Sequence, residues 1–226
     1  MRVATQALGA LIGGAVPLAV SPYLARLNLT VPDKDEARWW RGRQASPAAT
    51  AVTAAVAAVL GVLGGLAAGA SLTLIPFVAL AIVGAPLIVI DFVHHKLPNR
   101  LVFPLAVIAP LLALIPAAAG DRWSDYGRAA AGAAAVLAVL FVLAFVAPRG
   151  FGYGDVKLGG ILGGYLGWFG WAEVYYGIFG GFLLGAAVSL VLLATRRANM
   201  KTKIPFGPML LVGALVVLAF DLVPRL

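Results

Sequence analysis

The sequence predicts an all-α fold, a polytopic integral membrane bundle of about eight transmembrane helices. Three observations carry that expectation. Apolar residues make up 62% of the chain and charged residues 12%, whereas soluble domains are about half apolar and a quarter charged. Mean hydropathy is +0.98. The apolar residues are also gathered into runs of about 18 residues or more, the length at which a helix crosses the hydrocarbon core of a bilayer.

In chain order the runs are 4–25, 47–69, 72–90, 101–119, 129–147, 156–171, 174–194 and 205–223. Gly13, Gly14, Pro17 and Pro22 interrupt the first. Its length and the seven runs behind it read as a span and not as a cleaved signal. The second to fifth contain no charged residue. The sixth is short and glycine-rich: Gly159, Gly163 and Gly167 fall on one i, i+4 stripe, with Gly160 and Gly164 beside it. The seventh repeats the spacing with Gly177, Gly181 and Gly185. Such stripes let helices approach closely in lipid, where no hydrophobic force drives them together. The sixth run is therefore expected to be a central helix surrounded by protein. Connections are short, so one polytopic domain is expected, with no room for a soluble module.

The net charge of +8 would suit a nucleic-acid binder if it lined one face, but it is sorted between alternate loops. With loop 26–46 on the cytoplasmic side, thirteen of the 17 Lys and Arg fall on that side. They comprise the cluster in that loop with Lys96, Arg100, Arg149, Lys157, Arg196, Arg197, Lys201 and Lys203. Arg2, Arg122, Arg128 and Arg225 remain outside. This asymmetry obeys the positive-inside rule, so the charge orients the chain in a lipid bilayer and nucleic acid is not expected as a partner. Cysteine is absent, which excludes disulfides, thiolate metal sites and cysteine nucleophiles. The adjacent His94 and His95 lack companions for a metal site and read as solvated loop residues.

Of nine acidic residues, seven have a solvated-loop explanation: Asp33, Asp35, Glu36, Asp121, Asp125, Glu173 and Asp221. Asp91 and Asp155 differ. Asp91 ends the third run and Asp155 opens the sixth, and alternation of the spans brings both to the cytoplasmic boundary. Carboxylates at membrane depth are costly and mark function. Three turns share that face. Gly152 and Gly154 precede the sixth run and are expected to supply positive φ for a tight entry into Asp155. In "KLPNR", Pro98 and Asn99 reverse the chain just after Asp91. In "KTKIPFGPML", Pro205 and Gly207 begin the eighth run. Irregular backbone at this depth is tolerated when it lines a wet cavity.

These segments resemble the type IV prepilin peptidases, a family of GxGD aspartic proteases. "DFVHHKLPNRLVFP" is similar to their first aspartate motif, "GYGDVKLGGILGGYLG" to their GxGD motif and "IPFGPML" to the turn before their last helix. The resemblance runs from about residue 73 to 223, in the order of the motifs. It implies an organisation of two amino-terminal helices with a short basic loop over 1–70 and a six-helix peptidase core over 71–226. It also implies that Asp91 and Asp155 are the catalytic pair. Gly152, Gly154, Lys157, Pro98, Asn99, Pro205 and Gly207 would shape the site or bind substrate, without cofactor or metal. The substrate implied is a prepilin or pseudopilin precursor, cut at the cytoplasmic face of a bacterial cell membrane. Larger relatives carry a CxxC zinc module and N-methylate the cleaved product; loop 26–46 contains no cysteine, so methyltransferase activity is not expected. The alternatives are a preflagellin-type peptidase with the same chemistry and a proton-coupled transporter using both acids as a relay. Transport sites usually lie at the midplane, and these acids lie at one face.

Overall fold

The structure is a computed structural model that describes residues 2–25, 46–146, 152–196 and 205–221. Among these residues lie eight helices and no strand. They are α1 (Arg2–Ala25), α2 (Pro47–Ala68), α3 (Leu74–His94), α4 (Asn99–Ala119), α5 (Trp123–Val146), α6 (Tyr153–Phe169), α7 (Trp171–Ala194) and α8 (Gly207–Ala219). Asp33, Asp35, Glu36, Arg149, Arg197, Lys201 and Lys203 lie outside the described residues.

Local sequence sets the helix ends. Ser46 accepts the Ala49 N–H (3.2 Å) and Pro47 follows at N1, the residue types that satisfy or lack the first free donors. The α2 helix stops at Gly69, whose φ of 63° suits a residue without Cβ. Pro17 and Pro22 do not break α1, which is continuous.

Six helices are long and apolar enough to cross a membrane, so the chain is a multi-pass membrane protein. The two others are α6 with 17 residues and α8 with 13, the latter shorter than the run 205–223 that announced it. At about 1.5 Å per residue they fall short of a hydrocarbon core of about 30 Å. Both lie inside. Leu158, Leu162 and Leu166 of α6, Leu210 and Leu211 of α8, and Phe77, Leu80 and Leu87 of α3 are among the largest fully buried side chains. Protein, not lipid, surrounds these three helices.

Glycine spacing decides which helices touch. A Cβ on Gly163 would lie 2.6 Å from Gly132 O, and one on Gly132 would lie 2.7 Å from Gly163 O. The stripe through Gly159, Gly163 and Gly167 is therefore the seam between α5 and α6. On α7, Gly177 faces Leu166 of α6, while Gly181 and Gly185 face Leu210 and Phe206 at α8.

Polar contacts fix the carboxyl-terminal end of α6. The Tyr165 hydroxyl donates to Pro76 O of α3 (2.7 Å), and its ring meets Phe77 edge-on at 5.0 Å. Arg128 donates from Nε to Gly167 O (2.8 Å) and from Nη2 to Trp168 O (2.7 Å), a cation on the carbonyl end of the helix. Asp125 holds that guanidinium at 2.8 Å and Arg122 at 2.6 Å. The solvated-loop reading of Asp125 is thus corrected. It lies in the first turn of α5, because two arginines three positions to either side need its charge.

Replacing Gly163 by Ala is expected to destabilise the bundle by about 1–3 kcal/mol, the usual cost of overpacking. Gly164→Ala is expected to be near neutral, since its nearest neighbours stand at 3.6 and 3.7 Å. Thermal unfolding of both variants in detergent checks the contrast.

Candidate active site

Asp91 lies in the last turn of α3 and is 4% exposed. Five residues earlier, Pro86 sits inside the helix and cannot donate to the Ile82 carbonyl, a cause of helix bending. The helix ends at His95, in the left-handed region with φ 50°. Pro98 then starts α4 in extended conformation, with φ −68° and ψ 127°. The expected chain reversal is present, made by His95 and Pro98 together.

Asp155 occupies the third position of α6, after the N-cap Gly152. Its carboxyl interacts with the Gly152 backbone N–H, the arrangement by which an acid at N3 satisfies a free donor at the helix start. Gly152 has φ −84° and ψ 142° and Gly154 is helical, so the expectation of positive φ at these glycines is wrong. Space is the reason for both. A Cβ on Gly152 would stand 3.0 Å from Asp155 Oδ2, and one on Gly154 would stand 2.8 Å from Leu97 Cβ.

Among the described residues α3 and α6 make no direct backbone approach to each other; α8 packs on both. Its first residue, Gly207, lies between the acids. A Cβ there would be 3.1 Å from Asp91 Oδ2 and 3.3 Å from Asp155 Oδ1. The two carboxyl oxygens are therefore no farther apart than the sum of those distances. The Gly207 backbone N–H interacts with both carboxyl groups. Asp91 Oδ2 is nevertheless buried without a hydrogen-bond partner among the described residues, which is costly unless something else binds there.

Both acids open on one cavity of about 580 Å³. Pro98, Asn99, Gly152, Gly154 and Lys157 line it with them, so these sequence-predicted residues are brought together. Pro205 is buried before α8 and does not line the cavity. Lys157 bonds neither acid. Its Nζ donates to Asn99 Oδ1 (2.8 Å) and sits 4.7 Å from the Phe103 ring centroid, a cation–π contact joining α6 to α4. His94 and His95 also line the cavity, a placement that their reading as solvated loop residues missed. The signal was their position within one turn of Asp91. Among the described residues no group of three or more His, Asp or Glu could hold a metal ion. Paired carboxyl groups beside a cavity lined by polar side chains can accept protons from a water and donate them to a polar substrate.

Residues 77–190 match the Type IV leader peptidase family. The chain is 33% identical over 130 residues to a "Prepilin leader peptidase/N-methyltransferase" of Stutzerimonas stutzeri, covering 57% of this chain and 44% of that protein. It is 32% identical over 130 residues to one of the same name from Pseudomonas aeruginosa, covering 57% and 43%. The chain thus spans less than half the length of these curated relatives. No solved structure matches.

Gly154→Ala is expected to lower the melting temperature because its methyl group meets Leu97 Cβ. In a Leu97→Gly background, which lacks the Cβ that the new methyl group would meet, the same substitution should cost less than half as much, a coupling confined to neighbours. Thermal unfolding of the single and double variants measures it.

Proposed function

The chain belongs to the Type IV leader peptidase family, and on that premise we propose that it is a membrane-embedded aspartic endopeptidase. In this reading it removes the short basic leader of type IV prepilin-like or pseudopilin precursors at the cytoplasmic face of a bacterial cell membrane. The observation that carries the proposal is the approach of Asp91 and Asp155 to a single point at Gly207.

Two adjacent carboxyl groups resist double ionisation, so the pair holds one proton near neutral pH. A water between them gives a proton to the carboxylate as its oxygen attacks the scissile carbonyl carbon. The protonated partner donates to the carbonyl oxygen, producing a tetrahedral diol. Collapse of the diol breaks the C–N bond as one of its hydroxyls returns a proton to the carboxylate and the departing amine takes up the proton of the acid, which leaves the pair with one proton again. Gly207 serves by being small, because a side chain there would displace the water and both acids. Burial of Asp91 within α3, α6 and α8 keeps the reacting groups from bulk solvent.

The relatives' names join a peptidase to an N-methyltransferase. Only the peptidase is proposed for this chain, whose sequence has no cysteine for the zinc module of larger family members.

Purified protein incubated with a membrane-embedded pilin-like precursor should make one cut, beside the leader glycine. Asp91→Asn and Asp155→Asn should each reduce kcat by about 10²–10⁴-fold while the protein stays inserted and folded. Cleavage that survives either substitution would exclude a two-acid mechanism. Gly207→Ala should lower kcat by about 10²-fold through displacement of the acids. The pH profile of kcat/KM should be bell-shaped, since the pair must hold one proton, and its two limbs belong to the pair jointly.

A further inference from the structure

A second cavity, of about 420 Å³ and almost wholly apolar, lies between α4, α5 and α6. It runs from Val102 and Lys157 at the inner end to Pro116 and Trp168 at the outer end. The α4 stretch from 102 to 116 rises about 20 Å, most of a membrane span. Small residues form one part of its lining, Ala106 and Ala113 on α4, Ala130 and Ala134 on α5, with Gly160 and Gly164 on α6 as floor, and larger ones such as Phe103 and Trp168 form the rest. Ala106, Ala130 and Ala134 are exposed on the outer helices, so the groove can be reached from the bilayer.

Gly164 sets this groove apart from a packing seam. Gly159, Gly163 and Gly167 are bare because α5 presses on them. A Cβ on Gly164 would meet only ordinary contacts, Ala133 Cβ at 3.6 Å and Ala129 O at 3.7 Å. Glycine in a helix costs about 0.5–1 kcal/mol relative to alanine, and the fold has room for the methyl group. Packing within the chain therefore does not account for Gly164, whereas an occupant lying on the groove floor does.

The groove adjoins the acid cavity, with Lys157 lining both. That side chain, held by Asn99 and Phe103, ties α6 to α4 at the inner end, two residues along α6 from Asp155. An apolar helix laid along the groove would reach the aqueous boundary at Lys157 and continue as extended chain past the acids. Close backbone approach over glycine and alanine is how helices associate in lipid; a flexible lipid tail needs no bare floor.

We propose that the groove between α4, α5 and α6 seats the apolar transmembrane helix of the precursor, with Gly164 as its bare floor and Lys157 at its exit toward the acids. The inference rests on the peptidase reading above. Gly164→Leu and Ala106→Leu, on opposite sides of the groove, are each expected to raise the apparent KM for a membrane-embedded precursor by about tenfold or more, with kcat within about twofold. KM unchanged in both variants would overturn the proposal, as would a loss confined to kcat. Photocrosslinking tests the same point without turnover. A photoreactive phenylalanine replacing Ala106 in an Asp155→Asn background should capture the apolar segment of the precursor. The same group replacing Phe179, exposed on α7, should not. Adducts to lipid alone, or equal capture from both positions, would refute the docking groove. Absence of wild-type cleavage would instead defeat the peptidase reading, and the crosslink would still decide the groove.

Discussion

The arrangement depends on one close approach, that of Gly207 to two carboxyl groups carried by helices whose backbones do not otherwise approach each other. Asp91 arrives at the end of α3 and Asp155 at the beginning of α6. Neither helix packs on the other along its backbone; the start of α8 wedges between them. A methyl group at that position would stand just over 3 Å from an oxygen of each acid. The acids are thus set by a helix terminus without a side chain, and the rest of the bundle holds three helix ends in register.

Short central helices follow from that constraint. Burying carboxyl groups is costly, so the acids sit at the mouth of the bundle and not at its middle. The α6 helix is anchored at its far end by Arg128 on its last carbonyls and by Tyr165 on α3. The glycine seam with α5 fixes its rotation. These contacts lie outside the acid cavity, yet they decide where Asp155 points, because a helix moves as a rigid rod over this length. The amino-terminal end of α6 is tied to α4 through Lys157 and Asn99, and Lys157 lines both the acid cavity and the apolar groove.

Much of this was legible in the sequence, for identifiable reasons. Hydropathy located the spans because lipid tolerates few charges. Alternation of spans then put Asp91 and Asp155 on one face, and i, i+4 spacing identified the seams of α6 and α7. What failed was anything depending on the third dimension at side-chain scale. Gly152 and Gly154 carry the sequence signature of a strained turn, but they are glycines because Asp155 and Leu97 occupy the space. Asp125 looks like a loop acid until the fold brings the end of α6 to Arg128. His94 and His95 border the acid cavity, a neighbourhood that only the packing of α6 creates. Lys157 and Asn99 are 58 positions apart, and no local pattern announces their hydrogen bond.

The central claim is that positions 91 and 155 meet. Because the sequence contains no cysteine, Asp91→Cys and Asp155→Cys can be combined without background thiols and treated in native membranes with a short thiol-to-thiol crosslinker. Rapid formation of an intramolecular link, absent from either single variant, is the predicted result. Failure to link while both thiols still react with a monofunctional reagent would contradict the account.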